Sequence, residues 1–228
     1  RFFSPLLTEA VKILEDGLGN IPTIEEAAKK AFKIGMGPFE LMNVTGIPIS
    51  VHASTTFGRE LGDLYGTPKS LPAKMDSGEL YDLSGDVDES KFGPIQDRLY
   101  GVCLGAAAAL VSERIASIED TDRGAKIGLR WRFGPFEIMN KIGIDRAYDL
   151  VEAMTNRYPD FKMPEILVEQ KKLGKPFSFN YVDLDQQGAI AYITINRPEV
   201  LNALNETVVG QLEEKFNLPA PNSGVNAI

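Results

Sequence analysis

Gly37-Pro38-Phe39-Glu40-Leu41-Met42-Asn43 recurs as Gly134-Pro135-Phe136-Glu137-Ile138-Met139-Asn140, 97 positions later. The register holds without a gap back to the start of the chain, where Arg1 matches Arg98. Ala28-Lys29 matches Ala125-Lys126, and Gly46-Ile47 matches Gly143-Ile144. A constant register over so long a stretch reads as an internal duplication, with residues 1–46 and 98–143 as two copies of one helical unit. The period far exceeds the roughly 20–50 residues of solenoid repeats, so the expectation is a duplicated domain and not an array.

The hydrophobic pattern around the repeated phrase is helical. Phe3, Leu6, Leu7, Ala10 and Leu14 recur at three- and four-residue steps, which predicts a helix over residues 2–16, with Pro5 in its first turn and Gly17 and Gly19 as stops. Thr23-Ile24-Glu25-Glu26 has the spacing of a capping box, with Thr23 as N-cap of a second helix reaching Phe32. Pro38 suits the first position of a third, short helix that Gly46 ends. The second copy follows the same plan: a stripe of Leu99, Val102, Ala106 and Leu110, an N-cap at Asp120, and a short helix from Pro135 to Gly143. A last helix is expected over residues 164–174.

Between the copies, residues 66–94 are turn-rich, and the acidic run from Asp76 to Glu89 reads as a solvated linker. From about residue 178 the period changes. Phe177, Phe179 and Tyr181 alternate with polar residues, Ile190 to Ile195 is rich in β-formers, and Asp185-Gln186-Gln187-Gly188 reads as the hairpin loop between them. Asn205 is expected to cap a helix that turns Val208, Val209, Leu212 and Phe216 inward. Residues 217–224 read as a loop, and Val225 to Ile228 as the opening of a strand. The first residue already sits inside an amphipathic pattern, so the sequence reads as a piece of a longer polypeptide.

Composition bounds the function. A net charge of −8 argues against nucleic acid or an anionic membrane surface, both of which want clustered Lys and Arg. The single cysteine, Cys103, excludes an intrachain disulfide, and with one histidine, His52, there is no His/Cys cluster for a metal. This usage, and the absence of a signal peptide, fit the cytoplasm. The apolar run Val102 to Val111 is too short to span a bilayer, which takes about 20 residues. Its Gly and Ala content predicts a helix packed tightly on another.

Individual groups favour structural readings. His52 lies in Val51-His52-Ala53-Ser54 with no partner motif. Cys103 reads as a small buried hydrophobe. Glu40 and Glu137 stand in the first turn of a short helix, where a carboxylate gains from the helix dipole. Lys171, Lys172 and Lys175 read as a solvated helix end, with contact to a ligand's phosphates as the alternative. Gly17-x-Gly19 and Gly35-x-Gly37 do not follow strands, as a dinucleotide turn requires, and read as helix ends.

Met36-Gly37-Pro38-Phe39-Glu40-Leu41 resembles the most recognisable string in the C-terminal domain of 3-hydroxyacyl-CoA dehydrogenases. Arg1 to Glu15 resembles that family's helix after its Rossmann domain. Ser77-Gly78-Glu79-Leu80-Tyr81-Asp82 and Lys172-Leu173-Gly174-Lys175 resemble the ends of the two copies. The likeness covers about residues 1–178. Asn43 and Asn140 stand where the family usually has Asp, which puts a charge-dependent role there in doubt. Ile193-Thr194-Ile195-Asn196-Arg197-Pro198-Glu199-Val200-Leu201-Asn202-Ala203-Leu204 resembles the first strand and turn of enoyl-CoA hydratases, the crotonase fold.

Together the resemblances imply a mainly α chain: two tandem homologous helical domains, at residues 1–92 and 93–177, and an incomplete α/β crotonase start over 178–228. They imply the central part of a bifunctional 3-hydroxyacyl-CoA dehydrogenase and enoyl-CoA hydratase of fatty-acid β-oxidation or short-chain acyl-CoA metabolism. NAD would be bound by a Rossmann segment outside this sequence. The family's catalytic Asn would fall one residue ahead of Arg1, its His and Glu further upstream, and the hydratase acids and oxyanion-hole glycine beyond Ile228. No catalytic, cofactor or metal residue is therefore expected here. The residues expected to line the acyl-CoA site are Met36, Pro38, Phe39 and Leu41. Single-copy relatives dimerise through this domain, so duplication implies a pseudo-two-fold pair within one chain, with Gly101 to Ala109 as the expected contact. A homo-oligomer stays open. The alternative is a stand-alone helical interaction module without activity.

Overall fold

The computed structural model describes residues 1–217; the expected loop after residue 217 and strand at Val225 to Ile228 lie outside the described residues. The chain forms two compact units, residues 1–177 and residues 178 onward. The first is helical: α1 (Ser4–Glu15), α2 (Ile21–Phe32), α3 (Pro38–Thr45), α4 (Ile47–Leu61) and α5 (Leu71–Ser77), then α6 (Phe92–Ser112), α7 (Ile118–Arg123), α8 (Pro135–Ile142), α9 (Ile144–Arg157) and α10 (Glu165–Leu173). Among the described residues no helix is long and apolar enough to cross a membrane.

α1 and α6 form the centre. α1 packs on α2, α3, α4 and α6, and α6 packs on α1, α2, α8, α9 and α10. Both are buried nearly all round, as a helix inside a bundle must be. The burial of α1 is wider than the stripe its spacing predicts: Pro5 through Val11 and Ile13 are all covered. The two helices run antiparallel, because Arg1 pairs with Glu113 and Arg98 pairs with Asp16. These pairs are matched across the 97-residue register, Arg1 with Arg98 and Asp16 with Glu113. Each half thus offers its Arg to the other half's acid, the reciprocity of an isologous interface. Tyr100 Oη donates to the Ala31 carbonyl at 2.7 Å, and Trp131 inserts between Phe2 and Phe32.

The glycines of α6 point elsewhere than expected. A Cβ on Gly101 would meet the Leu150 carbonyl oxygen at 2.6 Å, and one on Gly105 would meet Phe161 and Val151. They make room for α9 within the second half, so the contact between halves does not run through them. Helix starts also shift. Asn20 caps α2 through its Oδ1, which accepts from Thr23 N at 3.0 Å, and Ser117, its match in the register, caps α7 by accepting from Asp120 N. Pro22 lies in the first turn of α2, which moves the start ahead of Thr23. Glu26 pairs with Lys29 and does not reach back. Gly46 and Gly143, at φ 98° and 92°, end one helix and begin the next, so α4 and α9 follow directly on the short helices.

The acidic segment after α5 has no helix or strand between Gly78 and Asp88, yet it is tied down at several points. Asn20 Nδ2 donates to the Asp86 carbonyl, and Asp88 N donates to Thr23 Oγ1.

The second unit holds an antiparallel hairpin, β1 (Val182–Gln187) and β2 (Ile190–Ile195), paired from Val182↔Ile195 to Gln187↔Ile190. The turn is Gly188-Ala189, shorter than the expected loop, with Gly188 at φ 63°. Asn205 caps α11 (Glu206–Asn217) through Val208 N. Val208 is buried, but Val209 and Phe216 are exposed, because a two-stranded sheet is too narrow to cover them.

The deepest polar cluster between the halves is Glu9. It is fully buried and faces Arg98, with Tyr158 Oη donating to it at 2.6 Å and the Arg157 guanidinium 3.7 Å away. Replacing Arg98 by Met leaves that carboxylate undercompensated. We expect Arg98→Met to lose about 3 kcal/mol of stability by denaturant unfolding. A loss under about 1 kcal/mol would show that Glu9 does not depend on Arg98.

Candidate functional site

Five of the seven positions of the repeated phrase have a direct physical reason. The start of a helix leaves backbone N–H groups without partners. At α3, Phe39 N and Glu40 N donate to the Glu25 carboxylate at 2.9 and 3.3 Å. At α8, Phe136 N and Glu137 N donate to Asp122 at 2.8 and 2.9 Å. Glu25 and Asp122 match in the register, and each is at most 3% exposed. A Cβ at Gly37 would lie 2.5 Å from the Glu25 carboxyl carbon, and one at Gly134 would overlap Asp122. The glycine is therefore the space in which the carboxylate sits. The proline occupies the first turn, where no N–H is needed.

The phenylalanine is core. Phe39 is fully buried with its ring edge-on to Tyr81 at 4.8 Å, and Phe136 meets Phe177 at 4.9 Å. The glutamate pairs with a lysine of the preceding helix or turn, Glu40 with Lys29 at 3.4 Å and Glu137 with Lys126 at 2.7 Å. Glu137 also accepts from Gly134 N. The asparagine ties down an extended strand-like segment. Asn43 donates to the Tyr81 carbonyl and accepts from Tyr81 N, and Asn140 does the same with Phe177. An Asp could accept but not donate, so the amide replaces a charge with a second hydrogen bond.

This frame sets one wall of an apolar cleft of about 570 Å³ between α1, α3 and α4. Its lining includes Phe3, Leu7, Met36, Leu41, Ile49, Ala53, Phe57 and, from the second half, Leu129. Arg1 and Arg130 stand among its polar residues. A recess of about 180 Å³ adjoins it, sharing Met36, Leu41 and Leu129 and adding Ile34, Pro38 and Trp131. Of the four residues expected at an acyl site, Met36, Pro38 and Leu41 thus come together. Phe39 lies elsewhere, turned into the core against Tyr81. The sequence did not point to α4, whose Ser50, Ala53 and Phe57 face the same cleft. Ser50 is buried, and its hydroxyl has no hydrogen-bond partner among the described residues.

A larger depression, about 810 Å³, lies by Lys12, Asp16, Asp63, Arg157 and Tyr158. Two of its cations are already paired: Arg157 meets Asp16 at 2.5 Å, and Lys12 lies 4.0 Å from Glu9. It is also apart from the repeated phrase, so the apolar cleft is the better candidate. Among the other groups, His52 is exposed on α4, and Cys103 is fully buried, which pushes its thiol well above the ordinary range. Lys171 pairs with Asp149 and lies over the Tyr148 ring, while Lys172 and Lys175 are exposed. Gly17 and Gly19 separate α1 from α2, and Gly35 and Gly37 separate α2 from α3, so neither pair fits a dinucleotide's strand-to-helix turn.

Comparison with known proteins gives a consistent result. Residues 1–86 and 93–178 each match the family described as 3-hydroxyacyl-CoA dehydrogenase, C-terminal domain. The fatty acid oxidation complex subunit alpha of Idiomarina loihiensis is 26% identical over 205 residues, which is 75% of this chain and 28% of the relative. The subunit of the same name from Shewanella amazonensis is 26% identical over 200 residues, 74% of this chain and 28% of the relative. This chain therefore spans well under a third of their length. Among solved structures, 3-hydroxybutyryl-CoA dehydrogenase from Escherichia coli K12 has a similar fold, with a TM-score of 0.64 and 14% identity. That match covers 76% of this chain and 59% of the other.

Two outcomes test the carboxylate-capped frame. Gly134→Ala should cost about 1–3 kcal/mol, because Asp122 must leave two helix-end N–H groups. Burial pushes the Asp122 carboxyl up to about 7. The folded state then holds a proton that the unfolded chain releases from about pH 4 upward. Asp122 therefore makes stability fall as pH rises from about 4 to 7, by at most about 1.4 kcal/mol per unit. Unfolding curves of the parent and Asp122→Asn should diverge across that window; parallel curves would contradict the assignment.

Proposed function

The chain belongs to the 3-hydroxyacyl-CoA dehydrogenase family through its C-terminal domain, and from that premise we propose that it forms the acyl-side wall of a dehydrogenase site in a longer polypeptide. The observation that carries this reading is the apolar cleft at the first Gly-Pro-Phe helix, where Met36 and Leu41 meet α1 and α4, with Pro38 in the adjoining recess. A volume of about 570 Å³ falls within the range of small-molecule sites. An apolar wall suits an acyl chain and keeps water from the reacting carbon. NAD, bound by the Rossmann segment, would accept the hydride. This chain's own residues would bind and orient the acyl group.

The two halves are read as products of one duplication. The matched carboxylate caps, the matched asparagine ties and the reciprocal Arg–acid pairs all support this. The second half would then take the place that a partner subunit holds in single-copy relatives. Domain limits of 1–92, 93–177 and 178–228 follow from the same reading. The unit from residue 178 is proposed as the start of an enoyl-CoA hydratase domain, on its Asn196-Arg197-Pro198 string after a hairpin. Relatives named for fatty acid oxidation support a place in acyl-CoA degradation.

The test is NADH oxidation with acetoacetyl-CoA, by this chain alone and with an NAD-binding segment joined ahead of Arg1. No rate alone and a measurable rate when joined is the expected pair. A rate from the chain alone would place the catalytic groups within it. No rate from a folded, joined protein would favour a purely structural role.

A further inference from the structure

The two halves differ at the cleft, and the difference follows the register. Ser4 and Thr8 of α1 match Gly101 and Gly105 of α6, and Ala53 and Phe57 of α4 match Leu150 and Met154 of α9. In the second half α9 lies directly on α6. A Cβ at Gly101 would come within 2.6 Å of the Leu150 carbonyl and 2.8 Å of Met154, and one at Gly105 within 3.3 Å of Val151. Glycine inside a helix is unfavourable by itself, and here Gly101 fits where the α9 backbone comes close and Gly105 where the Phe161 and Val151 side chains do. In the first half the same positions carry side chains, and the matched helix stands off. Ser4, Thr8, Ala53 and Phe57 all border the open cleft.

We infer that Ser4 and Thr8 hold the α1–α4 cleft open as the acyl-chain pocket, while Gly101 and Gly105 close the matching α6–α9 cleft, so that the chain carries one pocket and not two. Ser4 and Thr8 are positioning residues whose Cβ atoms set the spacing of the helices. Ala53, small where the second half has Leu150, sets the room left between them. This inference rests on the reading of the cleft as an acyl site, but the wedge itself is a statement about helix spacing and is tested separately.

The probe is decanoyl-CoA, titrated into this chain by calorimetry, and the companion measurement is the crystal structure of each variant. One equivalent is expected to bind. Ser4→Gly/Thr8→Gly should weaken binding by roughly ten-fold or more, the scale of losing a methylene or two of pocket contact. Its crystal structure should show α4 moved onto α1. Ser4→Ala/Thr8→Ala keeps both Cβ atoms and should leave α4 in place. If the glycine variant does not fold, Ala53→Leu fills the cleft from α4 and should weaken decanoyl-CoA while sparing butyryl-CoA.

Two equivalents bound would overturn the single-pocket inference. An open cleft in the folded glycine variant, or in Ser4→Gly alone if the double variant does not fold, would overturn the wedge, and unaltered decanoyl-CoA affinity in Ala53→Leu would overturn the placing of the acyl chain in this cleft. No binding by the parent chain would count against the acyl reading, and the helix spacing in the variants would still decide the wedge.

Discussion

A buried carboxylate at the start of a short helix is the interaction on which the rest of the first unit depends. Glu25 and Asp122 each accept two backbone N–H groups of a Gly-Pro-Phe helix from within the core. Burying such a group costs free energy unless it is bonded, and the helix start has donors that need an acceptor. Each defect satisfies the other. Once the carboxylate is in place, the glycine must lack a Cβ, the proline takes the position that needs no N–H, and the phenylalanine is turned inward. The helix then fixes the loop before it, and with it Met36 and Pro38 at the cleft. Burial pushes both carboxyls up despite the bonds they accept.

The same frame, used twice, leads to two outcomes. The halves share caps, asparagine ties and reciprocal arginines, and they are joined through the antiparallel α1–α6 pair. They part where α1 and α6 meet their second neighbours. Glycines let α9 close on α6, while hydroxyl-bearing side chains keep α4 off α1. One half therefore spends its apolar surface on packing, and the other leaves part of it facing a cleft. The second half still contributes, since Leu129 and Arg130 reach the first half's cleft from the loop after α7.

Much of this was readable before any coordinates. The repeated phrase located both short helices, three- and four-residue spacing located α1, a capping-box pattern located α2, and α10 was expected over residues 164–174. Two kinds of feature were not. The first is α4, written Ile-Pro-Ile-Ser-Val-His-Ala-Ser-Thr-Thr, whose β-branched and hydroxyl residues are weak helix formers; tertiary packing makes it helical. The cleft could not be drawn without it. The second is every tertiary cap. Glu25 looked like part of a local capping motif because its partner helix lies more than ten residues ahead, and a periodic pattern does not show which end a carboxylate reaches. The fixed register held the clue, since Glu25 and Asp122 are both acids at matched positions.

An acyl group is proposed to rest on the first Gly-Pro-Phe helix and not on its copy. The most direct measurement is a crystal structure of this chain, joined to an NAD-binding segment, with acetoacetyl-CoA bound. The acyl carbons should lie within van der Waals distance of Met36 and Leu41, between α1 and α4. An acyl group lodged against α9, or in the polar depression by Lys12 and Arg157, would contradict it.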